Sequence, residues 1–384
     1  HEQLSFPKWN VNGLSPDSSI EHSIYATSFP SLLQKAGYHT IHVGKAHFGA
    51  IGTPGENPLN LGFDVNIAGH AAGAPKSYYG TENFGNKPEF SGSPWPVPGL
   101  DKYHGQDINL TEALTIEALE ALEENKASQK PFFLYMAHYT VHTPIMADHR
   151  FFQSYLDMGL DTIEARYASM VEGMDKSLGD LMNYLDENNL SDNTIILFMS
   201  DNGGLSAVAR GGTAHTHNLP LSSGKGSIHE GGIREPMLVK WPGVTEPGST
   251  NPNYLIIEDF FPTILEMAGR NSYQTIQRID GVSFVGMLQN PNQCSTTGPG
   301  IGASSAIRQG DWKLIYYHLD QSFELFNIKN DIGEKQNQAE NQREKLTELA
   351  TTLSNYLKSE AAQMPSDKES GNIIPMPIEV ISKN

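Results

Sequence analysis

Two lysines and two histidines lie in loops whose glycine and proline neighbours suit a ligand-binding backbone. Lys45 and His47 belong to Gly-Lys-Ala-His-Phe-Gly, Lys225 to Ser-Gly-Lys-Gly, and His142 to His-Thr-Pro. Imidazole titrates near neutrality, which suits proton transfer, and ammonium groups stabilise negative charge that develops on oxygen in a transition state. Each residue alone is more simply interpreted as a solvated lysine or a satisfied loop histidine, so only the whole set favours a catalytic site.

An acidic and an amide side chain follow the most hydrophobic strand-like run, residues 194–199. Asp201 and Asn202 stand in Ser-Asp-Asn-Gly-Gly, and hard oxygen donors of this kind favour Ca²⁺ or Mg²⁺ over Zn²⁺. The residues Asp-Asn-Gly-Gly are also common in turns. This stretch alone favours a turn, but together with the other motifs it favours a metal site. Because Ca²⁺ takes about six to eight oxygens, we expect these two ligands to form an incomplete site.

Strand-like runs precede these loops and alternate with helical patterns. Four runs end at Val43, Ala137, Met199 and Trp241, and open α/β sheets place their active sites beyond the carboxyl ends of strands. Apolar spacing predicts helices over residues 30–36, 111–125, 167–185 and 259–268. We therefore expect an α/β fold with a mostly parallel sheet sandwiched by helices.

The pattern changes after residue 277. Three short runs, 306–308, 312–317 and 323–327, are joined by turns and predict an antiparallel sheet. Apolar residues between 346 and 357 predict an amphipathic helix that packs on this sheet. The expected domains are an α/β catalytic domain over residues 1–277 and a small C-terminal α+β subdomain with a tail over residues 278–384.

Taken together, the motifs resemble the sulfatase family of the alkaline phosphatase superfamily, of the arylsulfatase or polysaccharide-sulfatase type. The resemblance runs from about Ser28 to Lys358 and depends on the order and spacing of GKxHxG, HTP, SDNGG, GKG and EGGIR. It implies hydrolysis of sulfuric esters, with a sulfated polysaccharide or oligosaccharide as substrate.

The resemblance also implies a role for each candidate residue. His142 would protonate the leaving alcohol, and His47 would act on the hydroxyl of the nucleophile to release sulfate. Lys45 and Lys225 would stabilise charge on the sulfate and leaving oxygens. The Asp-Asn pair would bind Ca²⁺ together with two further Asp residues from the family's first strand.

The chain departs from the family pattern at the nucleophile. Sulfatases carry a Cys-or-Ser-x-Pro-Ser-Arg motif, whose first residue is oxidised to formylglycine, and an Asp pair, both upstream of GKxH. Neither is present here, and the sole cysteine, Cys294, matches neither the motif nor its place. The chain thus resembles a sulfatase without its N-terminal segment, and we expect negligible turnover because covalent catalysis needs a nucleophile.

Further residues are candidates for substrate contact. His215 and His217 lie between the Asp-Asn pair and Lys225, which predicts contact with the sugar or the sulfate; a zinc site is the alternative, although two histidines do not make one. The aperiodic segment 49–106 carries aromatic residues that could stack on sugar rings, but packing onto the protein body is the simpler interpretation.

Two other groups are interpreted as structural. His138 competes with His142 for the acid role but is closer to the strand. Glu230 and Arg234 are spaced i, i+4 across two glycines, which suggests an ion pair that supports their loop.

Net charge and hydropathy limit the kinds of molecule that the chain is expected to bind. A net charge of −18 argues against nucleic acid and is poor for attracting an anionic substrate over distance, so a sulfated ligand would need a locally positive pocket. No run of 18 apolar residues is present, so no membrane span is expected. The first residues do not form a signal peptide; a periplasmic or secreted location is implied only by the resemblance.

Two alternatives stay open. A phosphoric-ester hydrolase of the same superfamily would need a histidine-rich two-metal set, and none is clear in this sequence. A non-catalytic protein that binds sulfated glycans belongs to another functional class, and the missing nucleophile favours it for the chain itself.

Overall fold

The computed structural model describes residues 3–5, 12–90, 92–205, 218–290, 300–301 and 304–382. The chain forms two compact units. The larger unit takes residues 10–196 and 240–295, and the smaller unit takes residues 1–9, 197–239 and 296–384. His215, His217 and Cys294 lie outside the described residues. The domain boundary at residue 277 stays a prediction.

The elements follow in chain order. The strands are β1 (Leu4–Ser5), β2 (Leu14–Ser15), β3 (Ile24–Tyr25), β4 (His39–Gly44), β5 (Val65–Ile67), β6 (Phe132–Ala137), β7 (Ile196–Met199), β8 (Met237–Lys240), β9 (Gly300–Ile301), β10 (Ser304–Gln309), β11 (Trp312–Tyr317), β12 (Phe323–Asn327) and β13 (Ser366–Asp367). The helices are α1 (Phe29–Lys35), α2 (Leu110–Lys126), α3 (Phe152–Asp157), α4 (Thr162–Glu187), α5 (Glu230–Ile233), α6 (Phe260–Met267), α7 (Val285–Gln289), α8 (Arg343–Ser359) and α9 (Pro377–Ile381).

A parallel sheet in the order β5-β4-β6 organises the larger unit. In the register of β4 with β6, Gly44 lies opposite Ala137, so both strands end at the same edge. Ile41 and Val43 of β4 are fully buried against α2 side chains, as expected for a central strand of a parallel sheet. The expectation of an α/β fold with a parallel sheet is confirmed.

Local signals in the sequence explain where the helices begin and end. Ser28 caps α1 by accepting a hydrogen bond from Ser31 N–H, and Pro30 lies in the first turn, where its missing N–H costs nothing. Asn109 caps α2 and Asp161 caps the long helix α4 in the same way. These two helices bury their apolar faces against the sheet and each other.

The smaller unit contains the antiparallel sheet β12-β11-β10-β9, as expected for the C-terminal subdomain. Leu349 and Leu353 of α8 pack with Leu314 and Leu325 of this sheet in one buried cluster. The pair β7-β8 carries the Asp-Asn loop at its end. No helix within the described residues is long and apolar enough to cross a bilayer.

The aperiodic segment 49–106 wraps onto the larger unit through its aromatic side chains. Tyr78, Tyr79, Phe84 and Tyr103 are buried in the core, so packing explains these four rings. The same segment supplies β5, which the sequence pattern does not predict because its three residues form a strand only through pairing with β4.

Candidate functional site

The loop that carries Lys45 is fixed to the neighbouring strand. Gly44 has φ +98°, and a Cβ there would lie 2.0 Å from the carbonyl oxygen of Ala137, so only glycine fits. Lys45 N–H donates to that same carbonyl at 2.7 Å. The end of β4 is therefore held against the end of β6.

His47 occupies a left-handed backbone conformation with φ +56°. Its N–H donates to the carbonyl of His70 at 3.0 Å. Gly73 packs on its imidazole, where a Cβ would come within 2.5 Å of Nδ1. The backbone contact and the absence of a side chain at residue 73 together set the position of the ring.

His70 is a site neighbour that sequence reasoning missed. Its Nδ1 lies 3.2 Å from the hydroxyl of Tyr139, and its Nε2 lies 3.0 Å from the carbonyl of Pro94. Burial lowers the pKa of His70, which favours the neutral ring at physiological pH. It belongs to no motif, and its role follows only from its contact with His47.

His42 lies beneath the Lys45 loop as a fully buried polar residue of β4. Its Nε2 is 3.3 Å from the carbonyl of Lys45, and its Nδ1 is 3.2 Å from the amide oxygen of Asn66. Burial lowers the pKa of His42 to about 4, so the ring is neutral at pH 7. The rings of Phe48 and Phe63 surround it.

His142 follows β6, and hydrogen bonds define its backbone and its ring. Its Nδ1 lies 3.0 Å from the carbonyl oxygen of Thr143 and 3.3 Å from the Thr143 hydroxyl; in the tautomer whose Nδ1–H donates to that carbonyl, Nε2 is the nitrogen that can accept a proton. The hydroxyl of Tyr78 lies 2.7 Å from the carbonyl of Tyr139 and 2.9 Å from that of His142. Lys45, His47 and His142 thus stand on loops that leave adjacent parallel strands at one edge.

The Asp-Asn loop in the smaller unit packs backbone to backbone on α5. Gly203 N–H donates to the carbonyl of Gly232 at 3.2 Å. A Cβ at Gly203 would lie 1.8 Å from the carbonyl oxygen of Gly231. The glycines of the SDNGG and EGGIR motifs therefore permit this contact, which positions Asp201 and Asn202.

The Lys225 loop is hydrogen-bonded to the same structure. Lys225 N–H donates to the carbonyl of Gly204 at 3.0 Å. The Asn218 side chain accepts from Gly204 N–H and donates to the carbonyls of Gly204 and Ser223. Asn218 is not singled out by the sequence, and it joins the loops of the Asp-Asn pair and Lys225.

Glu235 adds a second carboxylate beside Asp201. Its Oε1 is buried and has no hydrogen-bond partner among the described residues. Burial, then the charge of Asp201, raises the pKa of Glu235 to about 7. A divalent cation would relieve this repulsion, and the oxygen donors suit Ca²⁺. However, the described residues contain no group of three or more acidic, histidine or cysteine side chains arranged for a metal.

A buried ionic cluster supports α5 from the C-terminal sheet. Lys313 Nζ lies 2.9 Å from carboxylate oxygens of both Glu230 and Glu334. The expected pair of Glu230 and Arg234 is present at 3.3 Å, so its structural interpretation is confirmed. Burial alone would raise the pKa of Glu334, but His229, Lys313 and the N–H of Glu230 lower it.

Two sets of candidate residues are therefore each organised by their own unit. Lys45, His47 and His142 belong to the larger unit; Asp201, Asn202 and Lys225 belong to the smaller one. That all six act in one pocket remains a prediction of the sequence.

Known proteins agree with the resemblance of the motifs. The model of the family described as Sulfatase matches residues 8–270. A sulfatase of Formosa agariphila is 29% identical over 386 residues, covering 85% of this chain and 68% of that protein. The N-acetylgalactosamine-6-sulfatase of Mus musculus is 33% identical and covers 70% of this chain, which spans about half (49%) of its length.

Solved structures show the same fold. The crystal structure of Ps i-CgsB in complex with k-i-k-neocarrahexaose matches with a TM-score of 0.73 and 26% identity, covering 98% of this chain and 82% of that one. The family match extends over more than half of the chain, and all the motifs that carry the candidate site lie within it. The chain belongs to the sulfatase family.

Proposed function

We propose that this chain carries the sulfate-binding and proton-transfer residues of a sulfuric ester hydrolase that acts on a sulfated polysaccharide or oligosaccharide. Family membership supports the reaction class. The substrate class is supported by Ps i-CgsB, which is 26% identical and whose crystal structure is a complex with k-i-k-neocarrahexaose. A secreted or periplasmic location would suit such a substrate.

The proposed chemistry begins with fixed positive charge. Cleavage of the S–O bond moves negative charge onto the sulfate oxygens and the leaving oxygen. Lys45 and Lys225 would stabilise this charge more strongly in the transition state than in the ground state. A glycine before Lys45 and glycines on both sides of Lys225 allow the backbone to approach the ester closely.

Two histidines would move the protons. We assign to Nε2 of His142 the transfer of a proton to the leaving alcohol, because Nδ1 is within hydrogen-bond distance of both the carbonyl and the hydroxyl of Thr143. We assign to His47 the proton of the nucleophile's hydroxyl when sulfate is released. Burial and then the charge of His47 lower the pKa of His70, which would disfavour protonation of both rings at once. His215 and His217 remain proposed contacts of the sugar or sulfate.

Asp201 and Asn202 would hold Ca²⁺ in the complete protein, with Glu235 as an adjacent carboxylate. When bound, the ion would supply positive charge that stabilises the sulfate oxygens. The nucleophile, formylglycine in the family, has no counterpart motif in these 384 residues. We therefore propose that turnover belongs to a protein in which a Cys-or-Ser-x-Pro-Ser-Arg segment precedes them.

One observation carries the proposal: the Lys45 and His142 loops leave adjacent parallel strands in register, joined by the bond from Lys45 N–H to Ala137. Sulfate release from a sulfated oligosaccharide by a protein that includes the formylglycine segment provides the test. We expect Lys225→Ala and His142→Ala to lower kcat by about a hundredfold or more, and Lys176→Ala, an exposed lysine paired with Asp180, to leave it unchanged. If Lys225→Ala and His142→Ala both kept the turnover of the wild type, the assignment of these residues to catalysis would be refuted.

The alternative of a glycan-binding protein without catalysis differs in its prediction for turnover. It expects a longer protein that includes the formylglycine segment to bind sulfated oligosaccharides and to release no sulfate from them. A phosphoric-ester hydrolase would instead prefer a phosphate monoester over the matching sulfate ester. An assay of ester hydrolysis with a sulfate ester and the matching phosphate monoester tests both alternatives: the first expects no hydrolysis of the sulfate ester, and the second expects faster hydrolysis of the phosphate.

A further inference from the structure

A pocket of about 410 Å³ lies in the larger unit, and its lining includes none of the six proposed site residues. Tyr79, Ile145, Met146 and Phe152 line it with aromatic and apolar side chains, and Glu82 and Arg166 contribute charges. Its volume falls in the usual range for small-molecule sites. A pocket with both apolar walls and opposite charges suits a ligand that has apolar faces and many polar groups.

Tyr79, a lining residue of the pocket, is held in place by contacts within the protein. Tyr79 is 5% exposed, and its hydroxyl donates to the carbonyl of Ala147 at 2.7 Å and accepts from His149 N–H at 3.0 Å. The imidazole of His149 stacks on the Tyr79 ring with centroids 4.4 Å apart. Because these contacts already exist without a ligand, binding would lose little conformational entropy here.

Arg166 is the cation of this pocket that has no internal counter-charge. Its guanidinium has no hydrogen bond or ion pair with any described residue, whereas Arg150 nearby in the chain is paired with Asp148 and Glu112. An unpaired guanidinium binds sulfate or carboxylate oxygens through two parallel hydrogen bonds. In a chain of net charge −18, such a local cation is what an anionic ligand needs.

Glu82 determines what kind of anion fits. The carboxylate of Glu82 lines the same pocket and has no hydrogen-bond or ion-pair partner among the described residues. A carboxylate repels a bare anion but accepts hydrogen bonds from hydroxyl groups. A sugar that carries both hydroxyls and one sulfate satisfies Glu82 and Arg166 together, whereas inorganic sulfate satisfies only Arg166.

The pocket is connected to the proposed active site through one loop. Tyr78 bonds the carbonyls of Tyr139 and His142, while the next residue, Tyr79, bonds Ala147 and His149. Two consecutive tyrosines therefore hold both ends of the segment 139–149, which carries His142 and four of the residues that line the pocket. A glycan in the pocket would contact the loop of the proposed acid.

We propose that this pocket is a glycan subsite, in which Arg166 binds the sulfate group of a sugar unit other than the one that reacts and Glu82 binds its hydroxyls. The proposal rests on the proposed function for its choice of a sulfated glycan. The subsite is tested by glycan binding, whereas the proposed function is tested by sulfate release. Either one can therefore fail without the other.

The test measures binding of a sulfated carrageenan hexasaccharide to the 384-residue chain by isothermal titration calorimetry. We expect Arg166→Ala to raise Kd about tenfold or more and Arg166→Lys to raise it less. The matched control is Arg343→Ala, which removes an exposed arginine from the smaller unit and should change Kd less than about twofold. An unchanged melting temperature in Arg166→Ala would exclude misfolding as the cause.

Two further binding measurements identify which chemical group of the glycan Arg166 binds. The desulfated hexasaccharide should bind wild type weakly, and Arg166→Ala should not weaken it further, because the arginine then has no sulfate to bind. Inorganic sulfate should compete only at concentrations far above those of the hexasaccharide. Equal effects of Arg166→Ala on both glycans, a wild-type chain that binds neither glycan, or inorganic sulfate that competes as well as the sugar would overturn the subsite.

Discussion

Lys313 Nζ lies 2.9 Å from Glu230 Oε1, and both residues are almost fully buried, at 1% and 2% exposure. Glu230 is the first residue of α5, whose glycines contact the loop of the Asp-Asn pair. A charge in the middle of the C-terminal sheet therefore fixes the short helix against which the proposed metal ligands pack. This gives the C-terminal sheet a direct role in positioning the site.

Removal of this lysine should destabilise the protein strongly. Lys313→Met removes the buried cation that Glu230 and Glu334 share. Among ion pairs, it leaves Glu230 only its longer contacts with arginine side chains and Glu334 only its contact with His229. Removal of one partner from a buried ion pair costs about 3–5 kcal/mol. The measurement is the free energy of unfolding in urea. Lys329→Met removes an exposed lysine that is 3.7 Å from Asp311 and should change it by less than about 1 kcal/mol. Equal effects of the two variants would show that the cluster is not responsible.

The contact between the two glycine motifs should tolerate no side chain. In Gly203→Ala the new Cβ would meet the carbonyl oxygen of Gly231 at 1.8 Å, so the Asp-Asn loop must move away from α5. We expect a loss of about 1–3 kcal/mol in unfolding free energy and weaker binding of sulfated ligands. Gly179→Ala in α4, where a Cβ meets nothing within 4 Å, should instead stabilise the chain by about 0.5–1 kcal/mol. A neutral Gly203→Ala would contradict the close packing.

Local sequence signals predict the elements well, whereas long-range contacts cannot be predicted from them. The apolar run 132–137 predicts a strand with the observed ends, because apolar runs and turn residues are local. The pattern misses β5 because its three residues form a strand only through pairing with β4. It also misses the partners of Lys313: Glu230 is 83 residues away, and no local pattern connects a strand lysine with that motif.

Acid should destabilise the larger unit through His42. Burial lowers the pKa of His42 from 6.5 to about 4, so between these values the unfolded chain binds a proton that the folded chain does not. Stability is therefore full above pH 6.5 and falls as pH decreases toward 4, by up to about 1.4 kcal/mol per pH unit. Unfolding free energies in urea at several pH values measure this slope.

A variant without the imidazole identifies the source of the slope. His42→Gln should flatten the decline between pH 6.5 and 4 relative to wild type, even if its stability at neutral pH is lower. His22→Gln removes an exposed histidine and should keep the wild-type slope. A decline that is unchanged in His42→Gln would assign the acid sensitivity to other groups.

The hydroxyl of Tyr78 should govern the order of the His142 loop. Tyr78→Phe removes the donor to the carbonyls of Tyr139 and His142 without removing the buried ring, so the apolar packing of the core is kept. A buried acceptor left without its donor costs about 1–3 kcal/mol. Part of that cost is relieved if the segment 139–145 opens to water, so we expect faster amide hydrogen exchange there than in α2. Tyr25→Phe, at an exposed ring, should leave exchange unchanged throughout. In the protein that carries the nucleophile, Tyr78→Phe should lower kcat while substrate binding at Arg166 persists. Exchange in 139–145 as slow as in wild type would mean that the tyrosine fills space but does not position His142.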